Sequence, residues 1–277
     1  MLSEFSFNDF FSKYNLKTID NKELFLAALL SFKNLNTTQI HKLAFLTFAE
    51  EKIIIPFEFI KMPHGPFSKD IRDLLIDFSD RKLISMNKEV HNNWEENIWV
   101  LSEGGQKLIE ENKSEIEEIK KKLNKIIETY DVRAKALEKY CYSNYLLKYA
   151  NEQPQNYEAR VKTGIDNLQI LLTNRIRDLK NVEDIDESSK TVVLACFDYV
   201  SNLLEPLSNK EIDPVIRGVL IKKTEDYINT WGEILRLIGN KDNELKVKDL
   251  LKTSKELFNF INVSSERYGV FESVFED

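Results

Sequence analysis

The sequence predicts a mainly α-helical protein that carries one small β-hairpin. Apolar residues recur at helical spacing in most segments, and one such face is formed by Ile71, Leu74, Leu75 and Phe78. The 277 residues include only eight Gly and six Pro, too few for a loop-rich β protein. A chain with 42% hydrophobic and 31% charged residues has globular composition, which excludes a fully disordered protein.

Two helices are predicted before residue 51. The first runs from Asn21 to Lys33 around an apolar stripe. The second begins near Thr37 or Thr38 and continues to about Glu50. Either threonine can serve as the N-cap, because its hydroxyl accepts a hydrogen bond from a backbone N–H of the first turn.

A turn rich in glycine and proline follows, and it leads into a third helix. Residues 52–61 are β-branched and aromatic, and Pro56 restricts them to a short or edge strand or to an extended linker. Residues 62–66 form the turn, where Gly65 is predicted to adopt a backbone conformation that is costly for other residues. Ser68 is then the predicted N-cap of the third helix.

The element order up to residue 112 is typical of a winged helix, a form of helix-turn-helix. Residues 82–86 and 97–101 read as two short strands joined by the polar stretch 87–96, and a fourth helix starts after Ser102. Three helices followed by a hairpin, the wing, define that fold. Residues 1–112 are therefore predicted to form a winged-helix domain.

A long connecting helix is predicted over residues 113–150, and a helical bundle domain over residues 151–277. The connecting helix carries a heptad seam, which consists of Ile116, Ile119, Leu123, Ile126 and Tyr130. Such a seam needs a covering partner, either the bundle or a second chain, and we expect a homodimer. In the bundle, Ser188 is the predicted cap of one helix, and Asp213-Pro214 is a strong start signal for another.

The sequence contains no catalytic, cofactor or metal motif. Ser68 with His64 could suggest a nucleophile and its base, but no third group orients the histidine and no G-x-S-x-G elbow is present. His41, His64 and His91 lack the spacing of a zinc site and are predicted to be surface or capping residues. We therefore expect a protein that is not an enzyme and binds no cofactor.

The surface of the third helix is the most informative candidate site. Its outward charged positions, predicted to bind a partner protein, are Asp70, Arg72, Asp73 and Asp77. Carboxylates there would be repelled by phosphates, and the chain has a net charge of −7. If the protein binds nucleic acid instead, the expected contacts are in the wing, at Arg81, Lys82 and Lys88.

Several features predict a cytoplasmic protein with no membrane segment. No apolar run approaches the roughly 20 residues that a membrane helix needs, and the first residues do not form a signal peptide. Cys141 and Cys196 stand alone, which is typical of buried thiols in a reducing compartment.

Residues 20–115 resemble a known family. The segments that carry the likeness are residues 39–43, Phe57-Glu58-Phe59, the turn His64-Gly65-Pro66-Phe67-Ser68, the third helix to Leu83-Ile84, and residues 100–105. They resemble the N-terminal winged-helix module of YwgA-like proteins and the related Panacea (SocA-like antitoxin) domain. The chain departs from that pattern at His64, where a tyrosine is usual, and residues 155–277 have no counterpart.

The resemblance implies a regulatory module that works by binding. Panacea-like domains are associated with neutralising toxins through direct contact. The sequence therefore predicts a non-catalytic, antitoxin- or adaptor-like regulator that binds a partner protein. The alternative is a DNA-binding transcription regulator that contacts DNA through the wing and a dimer surface.

Overall fold

The computed structural model describes residues 18–91, 94–130, 134–145 and 154–270. These residues are mainly helical and include a small antiparallel sheet, as the sequence predicts. They divide into two compact units, one within residues 18–145 and one within residues 154–270. None of the described helices is both long and apolar enough to cross a lipid bilayer.

The first unit contains six helices and five strands among its described residues. In chain order they are α1 (Lys22–Phe32), β1 (Leu35–Asn36), α2 (Thr37–Ala49), β2 (Ile60–Met62), β3 (Gly65–Phe67), α3 (Lys69–Asp80), β4 (Ile84–His91), β5 (Trp94–Leu101), α4 (Glu103–Glu111), α5 (Lys113–Thr129) and α6 (Ala134–Asn144). Strands β2 and β3 form a separate two-stranded ladder around the Gly65 turn.

The three-stranded sheet has the order β1-β5-β4, and both pairings are antiparallel. The short strand β1 pairs Leu35 with Trp99. The hairpin pairing runs from Ile84 opposite Leu101 to His91 opposite Trp94. Both strands are therefore longer than predicted and include most of the polar stretch between the two apolar runs. Ladder hydrogen bonds use backbone groups, so polar side chains that face solvent do not end a strand.

Four of the five residues of the heptad seam are buried inside the first unit, and Tyr130, which follows the end of α5, is half-buried. Ile116, Leu123 and Ile126 are fully buried, and Ile119 is 4% exposed. Helix α5 packs against α1 and α2, whose apolar side chains cover the seam. The seam therefore has a partner within its own unit and gives no support for a homodimer, which stays a prediction.

The predicted long connecting helix is interrupted. Helix α5 ends at Thr129 and α6 begins at Ala134, near the point where the apolar repeat shifts by four residues. Helix α6 packs on α2 and β3, so it contributes to the core of the first unit. The predicted end of the helix at Ala150 and the start of the boundary after it lie outside the described residues.

The predicted N-cap of α2 is one or two residues out of place. Asn36 caps α2 instead of Thr37 or Thr38, and it forms a capping box with Gln39. At the next helix the prediction is confirmed: Ser68 Oγ accepts a hydrogen bond from the Ile71 N–H, and Gly65 has a φ of 94°.

We expect Ser68→Ala to lower the free energy of unfolding by ~1 kcal/mol, because it removes a buried N-cap. Urea denaturation of the purified chain measures the change. A hydroxyl with only a capping role predicts no other effect. Unchanged stability together with the loss of a biochemical activity would contradict that role.

The second unit is helical throughout its described residues. Its α-helices are α7 (Pro154–Asn181), α8 (Glu187–Leu204), α9 (Pro214–Leu237) and α10 (Glu244–Arg267). Asp186 caps α8, not Ser188 as predicted, while Asp213 and Pro214 begin α9 as predicted. Arg217 of α9 is 1% exposed and donates two hydrogen bonds to Glu158 of α7, at 3.1 and 2.6 Å.

Candidate functional site

Helix α3 places one face in the core and presents the other to solvent. Ile71, Leu75 and Phe78 are buried, as their helical spacing predicts. The exposed positions are Lys69, Arg72, Asp73, Ile76, Asp77, Ser79 and Asp80. These exposed positions are called the outward face below.

Ile76 is an apolar residue in the middle of the outward face, and its side chain is 53% exposed. Residues three and four positions away are its neighbours on a helix surface, so Arg72 and Asp73 lie on one side of it and Ser79 and Asp80 on the other. Ile76 is not among the residues predicted from the sequence to bind a partner. The indication in the sequence is that this apolar residue lies outside the apolar stripe that contacts the core.

All three acidic residues that are predicted to bind a partner form ion pairs within the unit. Asp70 lies 2.9 Å from Lys22 Nζ, Asp73 lies 2.7 Å from Arg72, and Asp77 lies 2.9 Å from Arg81. All these side chains are substantially exposed, so each pair contributes at most about 1 kcal/mol and can exchange partners. The predicted set is therefore brought together on one helix, but Asp70, Asp73 and Asp77 are already paired.

Arg81, predicted as a nucleic-acid contact, is held by two carboxylates. Its guanidinium donates to both oxygens of Glu23 on α1, at 2.9 and 3.2 Å, and to Asp77 at 2.9 Å. These hydrogen bonds raise the pKa of Arg81 further above its usual value. A phosphate would have to compete with this network, so the structure weakens the case for Arg81 as a DNA contact.

The other two residues predicted to contact nucleic acid, Lys82 and Lys88, lie apart from the outward face along the chain. Lys82 has a φ of 57°, in the left-handed region, at the turn between α3 and β4. Lys88 lies in β4, and both side chains are exposed.

The turn that precedes α3 is fixed by a buried histidine. His41 is 2% exposed, and its Nδ1 accepts a hydrogen bond from the Ser68 N–H at 3.1 Å. Its ring stacks on Phe67 with centroids 4.4 Å apart. Burial, together with the neighbouring Lys42, lowers the pKa of His41 to about 3, so the ring is neutral at pH 7. The prediction of a surface or capping histidine is wrong here.

Lys42 holds the same turn from the adjacent position of α2. Its Nζ donates to the Pro66 carbonyl at 2.8 Å, and the residue is 3% exposed. Burial lowers the pKa of Lys42 to about 8. A Cβ at position 65 would lie 3.1 Å from Lys42 Cε, so both the positive φ and this close approach favour Gly65. The turn is therefore a structural anchor for α3.

Of the two remaining histidines, the structure describes the side chain of His64 alone. His64 is 82% exposed at its side chain and lies 3.6 Å from a Glu138 oxygen. His91 ends β4, and its side chain is outside the described part of the chain. Among the described residues, no cluster of three or more His, Cys, Asp or Glu could hold a metal ion.

The two cysteines are poorly suited to nucleophilic chemistry. Both are fully buried, and burial raises the pKa of the Cys141 and Cys196 thiols to about 12. A thiol of that pKa is almost entirely protonated at pH 7, whereas the thiolate is the reactive form. The described residues therefore place no activated thiol at the surface.

One carboxylate with two tyrosine donors joins the end of α2 to α6. Glu50 Oε1 accepts hydrogen bonds from Tyr140, at 3.0 Å, and from Tyr145, which is fully buried. Two phenol donors on one carboxylate account for the position of α6 against the end of α2 and stabilise that contact.

A cavity of about 1050 Å³ lies beside the start of α1, between that helix and the helices α4 and α5. Its lining mixes acids and bases, and Lys122 Nζ donates to the Thr18 carbonyl within it. Among the lining residues that the structure describes, none is a nucleophile with an adjacent base.

Comparisons of the chain with protein-family models, with curated proteins and with solved structures gave no match. A functional proposal therefore depends on the residues and geometry described above.

Proposed function

We propose that the first unit is a winged-helix module that regulates a partner protein by binding it, without catalysis. The order α1-β1-α2-β2-β3-α3-β4-β5 supports the winged-helix assignment, with the β2-β3 ladder as an addition between α2 and α3. The sheet order β1-β5-β4 supports it as well, because the strand between the first two helices pairs with the hairpin. The Gly65-Pro66-Phe67-Ser68 turn supports a likeness to Panacea-like antitoxin domains.

The observation that carries this proposal is the exposed Ile76 on an acidic helix face. Protein interfaces combine an apolar centre with a polar rim, and Ile76 is bordered by Asp73 and Asp80. Acidic residues around an apolar anchor favour a partner that presents an apolar pocket with basic residues at its edge, because complementary charge speeds encounter.

The same face is poorly suited to the major groove of DNA. Its exposed charges are two basic residues, Lys69 and Arg72, against three acidic ones, Asp73, Asp77 and Asp80. Helices that read bases prefer Arg, Lys, Asn and Gln, and carboxylates here would approach phosphates. Arg72 is also paired with Asp73.

One observation favours a second candidate, a DNA-binding regulator. Lys82 and Lys88 are both exposed on or next to the hairpin, where a wing can reach the phosphate backbone. If this candidate is correct, Lys82→Glu combined with Lys88→Glu should weaken DNA binding at low salt, whereas Arg72→Ala should barely change it.

We expect Ile76→Arg to abolish capture of a specific partner from extracts of the source organism. The charged side chain would have to enter the apolar centre of the interface, and a central anchor typically costs about tenfold or more in affinity when it is lost. Proteins retained by the immobilised chain are identified by mass spectrometry. The affinity is then measured with the purified partner by calorimetry.

Leu245→Arg is the matched control, because Leu245 is 79% exposed but lies in α10 of the second unit. It should retain the partner at wild-type affinity. Equal binding by both variants would reject the α3 face. Salt-dependent mobility shifts of genomic DNA that depend on Lys82 and Lys88, with no protein partner captured, would favour the DNA-binding candidate.

A further inference from the structure

Strand β4 forms an open edge of the three-stranded sheet. The order β1-β5-β4 leaves one side of β4 without a neighbouring strand among the residues the structure describes. All residues from Ser85 to Val90 are exposed, so no described helix or loop covers this side. An exposed edge presents backbone donors and acceptors that can pair with another chain.

The pairing register shows which backbone groups point outward. Ser102 N–H donates to the Leu83 carbonyl at 3.0 Å, and these two residues continue the β4-β5 register by one position. Hydrogen-bonded and non-hydrogen-bonded pairs alternate in an antiparallel ladder. Ser85 and Asn87 therefore bond to β5, whereas the N–H and C=O groups of Met86 and Val90 point away from the sheet.

The side chains along this edge differ between its two faces. Met86, Lys88 and Val90 share one face, because alternate residues of a strand point the same way. Met86 is 52% exposed and Val90 is 75% exposed, so this face carries two apolar side chains with a lysine between them. On the opposite face Glu89 lies directly across from Glu96. Glu89 is exposed, and opposite charges at neighbouring strand positions are favourable, so a cation next to Glu89 would stabilise an added strand.

We propose that the β4 edge binds an extended peptide segment of a partner protein, which adds to the sheet as a fourth strand. The segment alternates apolar side chains, which lie beside Met86 and Val90, with polar ones, and it places a Lys or Arg beside Glu89. Backbone hydrogen bonds supply affinity in this mode of recognition, and the alternate side chains supply specificity.

A peptide fits this edge better than a second copy of the chain. Six exposed residues span about 20 Å, and two such edges pairing together bury well under the ~1,200 Å² of a stable protein dimer. Self-pairing centred on Lys88 would also bring two lysines together, which is unfavourable. A flexible peptide needs no such area, because the added strand is held mainly through its backbone.

The test is a selection of phage-displayed random dodecapeptides on the immobilised full chain. We expect enriched peptides to alternate apolar and polar residues with one basic residue on the polar face. Met86→Pro should weaken their binding about tenfold or more, because it removes an outward N–H that β5 does not use. Val90→Lys tests the apolar contact without a proline, and Leu245→Lys is the control that should bind normally.

Amide hydrogen exchange of the complex with a selected synthetic peptide provides an independent measurement. The amides of Met86 and Val90 should become protected on peptide addition, while those of Ser85 and Asn87 are protected already. The proposal is overturned if no alternating peptides are enriched, or if Met86→Pro binds them as well as wild type does. A dimer that dissociates on Met86→Pro would overturn it in favour of a second copy. Peptide binding at the β4 edge and partner binding at the outward face of α3 are tested with different variants, so either proposal can be rejected while the other stands.

Discussion

Glu158→Ala should destabilise the second unit by about 3 kcal/mol, the lower end of the range for a broken buried ion pair, because Arg217 is buried while the Glu158 side chain is 26% exposed. Arg217 is 1% exposed and depends on the two Glu158 oxygens for its charge compensation, with the Tyr157 ring 4.9 Å away as its other support. Removing the carboxylate leaves a buried guanidinium without a counter-ion. Urea denaturation followed by tryptophan fluorescence measures the loss, since Trp231 is also buried in α9.

The matched control replaces the pair. Arg217→Met together with Glu158→Leu removes both charges and fills similar volume, and such replacements are often neutral or stabilising. We expect the double variant to be clearly more stable than Glu158→Ala. If the two variants lose the same free energy, packing rather than an uncompensated charge accounts for the effect.

Acidification from pH 6.5 to pH 3 should destabilise the first unit through His41. The pKa of His41 is about 3 in the folded chain against 6.5 for a free histidine, so the unfolded state binds the extra proton throughout this interval. Stability therefore falls as the pH is lowered, by up to about 1.4 kcal/mol per pH unit from this one group. Denaturant titrations at successive pH values measure the slope.

His41→Asn separates this titration from the hydrogen bond. An asparagine side-chain oxygen can still accept a hydrogen bond from the Ser68 N–H, but it does not titrate. The free energy of unfolding should therefore fall less steeply between pH 6.5 and pH 3, by the contribution of close to one proton. His64→Asn is the control, because that side chain is 82% exposed and its contact with Glu138 is weak. If the free energy of unfolding depends on pH in the same way in His41→Asn as in wild type, other groups dominate acid unfolding.

Local signals explain which elements could be predicted from the sequence. Asp213-Pro214 and Ser68 begin helices in the structure as their chemistry predicts, because N-caps act within one helical turn. The apolar stripe of α3 is buried at Ile71, Leu75 and Phe78 for the same reason. Where several capping residues stand close together, as at Asn36 or Asp186, the sequence alone does not decide among them.

Tertiary contacts account for what the sequence did not predict. Nothing near His41 or Lys42 indicates that a distant turn will cover both side chains, since their partners lie 27 and 24 residues further along the chain. The same holds for the break before α6, whose position depends on packing against α2 and β3. Ile76 could not be predicted as a contact residue for a related reason. A helical pattern identifies the residues that face the core, and it does not show which of the outward residues bind a partner.

The buried Lys42 has a practical consequence for following motion in the molecule. Amine-reactive reagents can reach a side chain that is 3% exposed only after the Gly65 turn separates from α2. The rate at which this one amine is acylated, compared with the exposed Lys82, therefore reports how often the turn opens. Because α3 begins directly after that turn, Lys42 is a built-in probe of the helix that carries Ile76.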